Sequence, residues 1–150
     1  MKLQNLRNFI EIASKEIAED VAETVVYDLK RVGPYYSGDF EESWVVRSGD
    51  VDIPANRRPV ERPNKRRPRQ VTAVAIPDAT IQNGVVYTIG NQMVYRAIAM
   101  DIVPGRVKNP DTASAVQDWY ALYVDGGVMA KRVAATTKKA LSQAKKQAFS

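Results

Sequence analysis

Between Lys2 and Lys30 the chain carries neither proline nor glycine, and Leu3, Leu6, Ile10, Ala13, Ile17, Val21, Val25 and Leu29 recur at steps of three and four. That spacing predicts one long amphipathic helix over residues 1–32 with its apolar stripe turned to a core. Its charges nearly balance, six acidic against five basic through Arg31, and Glu16 and Asp20 fall on the outer face. Gly33 and Pro34 then stop it.

The remainder has the makings of one ordinary domain. The chain has 150 residues, 45% hydrophobic and 26% charged, which is the balance of a globular protein with a real core. It contains no cysteine and no histidine. Thiolate nucleophiles, disulfides, Cys/His zinc sites, imidazole bases and histidine-dependent triads are thereby excluded, leaving carboxylate, lysine, tyrosine, serine or oxygen-ligated metal chemistry. The start MKLQNLRNFIEIASKEIAED is broken by charges too often to serve as a signal peptide or a membrane span, and the chain is expected to be made in the cytoplasm without an anchor. Net charge is +5, unevenly distributed.

One concentration of charge is RSGDVDIPANRRPVERPNKRRPRQ, residues 47–70, with four prolines, seven arginines, one lysine and no apolar period. Neither a helix nor a central strand persists there, so a long basic loop is expected. Around it SWVV, VTAVAI and VVYTIGN read as strands, the last two as an antiparallel pair, and QMVYRAIAMD as a short helix. DTASAVQDWYALYVD is open to two readings, a helix capped by Asp111 or Thr112, or a strand through WYALYV. The last segment, residues 127–150, is a helix with Met129, Val133, Thr137, Ala140, Leu141, Ala144 and Ala148 on one side. The pairs Lys131/Arg132, Lys138/Lys139 and Lys145/Lys146 lie on the other, and no acid falls among them.

Each chemical motif has a structural counterpart. Asp39, Glu41 and Glu42 could act as acid/base or metal groups, a nuclease needing Asp39 and Glu42 to converge with Asp78 or Asp101; equally, Ser37 caps a short helix whose first turn favours acids. Gly84, Gly90, Gly126 and Gly127 form no phosphate loop and read as turns and helix boundaries. Tyr87, Tyr95, Trp119, Tyr120 and Tyr123 could stack on bases, yet among twelve aromatics most belong to a core or interface. Arg57, Arg58, Arg62, Lys65, Arg66, Arg67 and Arg69 of the loop, with Lys131, Lys138 and Lys145 of the last helix, are candidates for contact with DNA phosphates or an acidic protein ring; the counter-reading is a solvated surface.

The order of blocks resembles the tail-completion or neck proteins of tailed bacteriophages, also called minor tail proteins. Pro34, Ser37, Gly38, Phe40, Ser43 and Trp44 match a Pro-x-x-[Ser/Thr]-Gly-x-[Leu/Phe]-x-x-Ser-Trp motif that follows a long helix in that family. Tyr87, Ile89, Gly90, Asn91 and Tyr95 match a Tyr-x-Ile-Gly-Asn strand and the tyrosine that opens the next helix. After Tyr95 the chain departs from the pattern with AIAMDIVPGR. The resemblance implies an α+β protomer, with long N- and C-terminal helices packed on a small antiparallel β-sheet, and a virion role without catalysis or cofactor. In that role the protein forms a homo-hexameric ring at the head-proximal end of the tail. Its partners are the tail terminator or tail tube protein, the head connector or head-completion protein, and genome DNA in the lumen, with no membrane involved. The competing expectation is a sequence-independent DNA-binding module.

Overall fold

A computed structural model describes residues 3–34, 38–60, 86–100 and 118–149. It is an α+β arrangement of two long terminal helices and a two-stranded antiparallel sheet, with three short helices between them. Helix α1 spans Leu3–Val32, and Lys30 and Arg31 in its last turn suit the negative end of the helix dipole. Helix α5 spans Val128–Phe149. The two run antiparallel, as Arg132 on Asp28, Thr136 on Thr24 and Phe149 on Phe9 establish. Alanines make the close approach possible: Ala140 and Ala144 of α5 are fully buried and Ala13 of α1 nearly so.

The short elements lie near the carboxyl end of α1. Helix α2, Asp39–Glu42, leads into β1, Trp44–Ser48, which pairs with β2, Tyr87–Asn91, in a register that sets Trp44 opposite Asn91 and Ser48 opposite Tyr87. Helices α3, Arg96–Met100, and α4, Trp119–Val124, follow. The core gathers Val25, Val26 and Leu29 of α1 with Phe40, Trp44, Met93, Ala99, Trp119 and Tyr123. Each aliphatic side chain fully removed from water there, Met93 or Val26, contributes about 1.5–3 kcal/mol before entropy is counted.

Several expectations are revised. The apolar stripe of α1 does not stay in the core: Leu3, Leu6 and Ile10 are exposed, and burial begins at Ala13. Glu16 and Asp20 are half-buried rather than fully outward, and Asp20 faces α5 across a polar groove. The strand after Trp44 runs to Ser48, so the first two residues of the expected 47–70 loop belong to β1. Among the described residues the partner of β2 is β1; VTAVAI lies outside them. WYALYV is helical, because Trp119 and Tyr123, four apart, reach the core together while Ala121 and Leu122 face outward. The spacing of Met93, Ala97 and Met100, with Tyr95 and Ile98 or Ala99 beside them, predicts the short helix after β2; in α3 the buried residue is Ala99, and Ala97 is exposed. Leu141 falls at the edge of the α5 packing face and stays 42% exposed.

Candidate functional site

Among the described residues, two clusters and one surface carry the chemistry. The first is a joint at the end of α1. Gly38 adopts φ 92°, a left-handed conformation that side chains disfavour, and turns the chain into α2 without a side-chain cap. Ser37, the expected cap, lies outside the described residues. Phe40 then projects into a ring cluster, edge-on to Trp44 at 5.8 Å and to Trp119 at 6.2 Å and stacked on Tyr95 at 6.3 Å. The buried Asn91 amide closes the joint, donating from Nδ2 to the Phe40 carbonyl at 2.8 Å and accepting at Oδ1 from the Met93 amide at 2.9 Å. The Gln92 amide donates to the Ser43 carbonyl at 2.9 Å. Gly90 is a strand residue here and not a turn: a Cβ on it would lie 2.7 Å from Ile53 Cδ1 and 3.1 Å from Ile53 Cβ.

The acids of this segment do not converge as a metal site. Asp39 and Glu41 are buried, whereas Glu42 is exposed and pairs with Arg57 at 3.6 Å. Burial, and then the nearby Asp39 charge, raises the Tyr95 phenol above its usual range. Among the described residues no group of three or more acidic, histidine or cysteine side chains is placed to hold a metal ion. Asp78 and Asp101 lie outside them.

The second cluster is a clamp across three helices. Asp28 of α1, fully buried, accepts from the Tyr123 hydroxyl of α4 at 2.9 Å and from Arg132 of α5 through Nε at 2.9 Å and Nη2 at 3.2 Å. A bidentate fork of this kind satisfies both carboxylate oxygens. Burial, then the bond to Asp28, raises the Tyr123 phenol well beyond its usual range, and the bond to Asp28 raises Arg132. Sequence reading does not single out Asp28. Its signal is a carboxylate standing at apolar register between Val25 and Leu29. Arg132, expected among the outward basic residues, instead turns toward α1; it is the sole arginine of a helix otherwise supplied with lysine, the choice suited to a fork.

The surface is the far side of α5. Lys139 lines a polar groove with Asp20, Glu23 and Arg132, so α1 supplies acids near these cations. Lys131, Lys138 and Lys145 are exposed on the side turned from α1, spaced seven residues apart, and make no ion pair among the described residues. At 1.5 Å per residue the row is about 21 Å long. Of the loop arginines, Arg57 is half-buried and tied to the body, its amide donating to the Gln92 carbonyl at 2.8 Å and its carbonyl accepting from the Val94 amide at 2.9 Å. Arg58 is exposed; Arg62, Lys65, Arg66, Arg67 and Arg69 lie outside the described residues.

No family model, curated protein or solved structure matches this chain. Among the described residues no helix is long and apolar enough to cross a membrane.

Proposed function

We propose that this chain is a structural virion protein of the tail-completion or neck class. It forms a homo-hexameric ring at the head-proximal end of a phage tail and joins the tail to the head connector around a DNA channel. It is assembled in the host cytoplasm, uses no cofactor and catalyses nothing. The observation that carries the reading is the joint. Gly38, Phe40, Ser43, Trp44, Gly90, Asn91 and Tyr95, seven of the eleven residues of the resemblance, come from separate stretches and meet in one packed unit. Each has a physical duty there, which supports reading the two blocks as one structural unit. The basic segment after Ser48 serves in this reading as an arm toward a neighbouring subunit, adding avidity without enlarging the core.

The test is assembly. Mixed with the connector and tail-tube proteins of its own phage, the protein is expected to form rings visible by negative-stain imaging, with a mass of six copies. A particle that stays monomeric and binds neither partner would overturn the reading.

A second reading, sequence-independent DNA binding, is favoured by the row Lys131, Lys138 and Lys145. Replacing all three by glutamine is expected to weaken retention on duplex DNA equally for all sequences. It should also lower the log–log salt slope by about 0.9 for each phosphate that a lysine no longer neutralises. An unchanged slope would remove α5 from any DNA-binding role.

A further inference from the structure

The amino-terminal end of α1 extends past the helix that packs on it. Phe149, the last residue of α5, meets Phe9 with ring centroids 5.6 Å apart, so residues 3–8 project beyond it. At 1.5 Å per residue the overhang is about 9 Å. Along this end of α1, Leu3, Leu6 and Ile10 are 85%, 39% and 55% exposed, and Arg7 and Glu11 line the same shallow groove as a charged rim on one side. Arg7 and Glu11 already face each other within the helix at 3.2 Å.

We propose that the stripe Leu3, Leu6 and Ile10 is a docking site for the same stripe of a second copy of this chain, the two helices lying antiparallel about a two-fold axis. Charge complementarity selects that occupant. A two-fold axis running between antiparallel helices, perpendicular to both, maps each rim onto the same side of the pair. Centred near residues 8 and 9, the pairing sets Leu6 of each copy across from Ile10 of the other. It brings Arg7 of each rim to Glu11 of the opposite rim, so both ion pairs form between opposite charges. A parallel pairing, about a two-fold axis along the helices, would instead put the two rims on opposite sides of the pair and form neither ion pair. Three apolar residues per copy make a patch well below the about 800 Å² per partner of a standard stable interface, so the association is a concentration-dependent equilibrium. It is isologous and does not itself build a ring, so it stands apart from the neck reading.

The chain has no cysteine, which makes single-cysteine variants clean probes. Leu6→Cys and Ile10→Cys proteins, oxidised separately and as an equimolar mixture, test the geometry. The mixed Leu6→Cys/Ile10→Cys dimer is expected to form several-fold faster than either homodimer, and Leu3→Glu added to both chains to abolish the excess with an unchanged far-ultraviolet spectrum. Equal rates for all three pairings would overturn the proposal. So would rates no higher than those of a control cysteine at the exposed Ala134 on α5. Neither result bears on whether the protein joins a tail.

Discussion

Asp28 decides the strength of the helix assembly because its carboxylate is fully buried while Arg132, its cationic partner, is half in solvent. Removing Arg132 therefore costs more than removing the phenol. Arg132→Met leaves a buried carboxylate with Tyr123 alone and is expected to cost about 3 kcal/mol, against about 1 kcal/mol for Tyr123→Phe, both read by urea unfolding. The phenol also makes a pH prediction with a definite sign. Its folded pKa lies above the unfolded value of 10.0, so its contribution is complete below pH 10 and is lost as pH rises further, where the unfolded chain ionises first. The stability gap between wild type and Tyr123→Phe should narrow above pH 10 by at most about 1.4 kcal/mol per pH unit. A gap that stays constant to pH 11 would contradict a shielded phenol. At Gly90 the crowding atoms include the branched Cβ of Ile53, which cannot swing aside. Gly90→Ala is expected to cost about 1–3 kcal/mol, and Ile53→Ala in the same chain to cost less than the two single changes added together.

The two long helices were legible in the sequence almost to the residue, because a period of three and four sustained over many turns belongs to no other structure. Their register was not. Nothing local in a helix says which neighbour covers which turn, so the amino-terminal part of the α1 stripe reads as core although α5 stops short of it. WYALYV was ambiguous for a related reason: aromatic content favours a strand, and only packing of Trp119 and Tyr123 on one side settles it as helix. Partner choice in the sheet was equally hidden, since a five-residue strand carries too few side chains to identify its neighbour. At this scale the critical packing is that of the buried alanines of α5, Ala140 and Ala144. Ala140→Leu forces α5 away from α1 and is expected to cost about 1–3 kcal/mol by chemical denaturation, whereas Leu141→Ala, at the edge of the same face, should cost less than about 1 kcal/mol.

Across the whole molecule, charge is sorted by whether it has a partner. Arg132 is held by Asp28, Arg57 pairs with Glu42, and Lys139 faces the acids of the α1 groove, while Lys131, Lys138 and Lys145 are left to solvent. The seven-residue repeat of the basic pairs was visible in the sequence; which member of each pair would turn inward was not, because that depends on where α1 places its acids. The same sorting makes the outer three dispensable for folding. Their replacement by glutamine should shift the thermal midpoint by no more than a few degrees even if it removes DNA retention.

The stitching of residue 57 to residues 92–94 has a mechanical side. A pull on the chain beyond residue 60 arrives at Arg57, is passed through two backbone hydrogen bonds to Gln92 and Val94, and enters the Asn91 joint and the sheet directly. Tension applied there is thus met first by the part of the molecule with buried hydrogen bonds and four meeting aromatic rings.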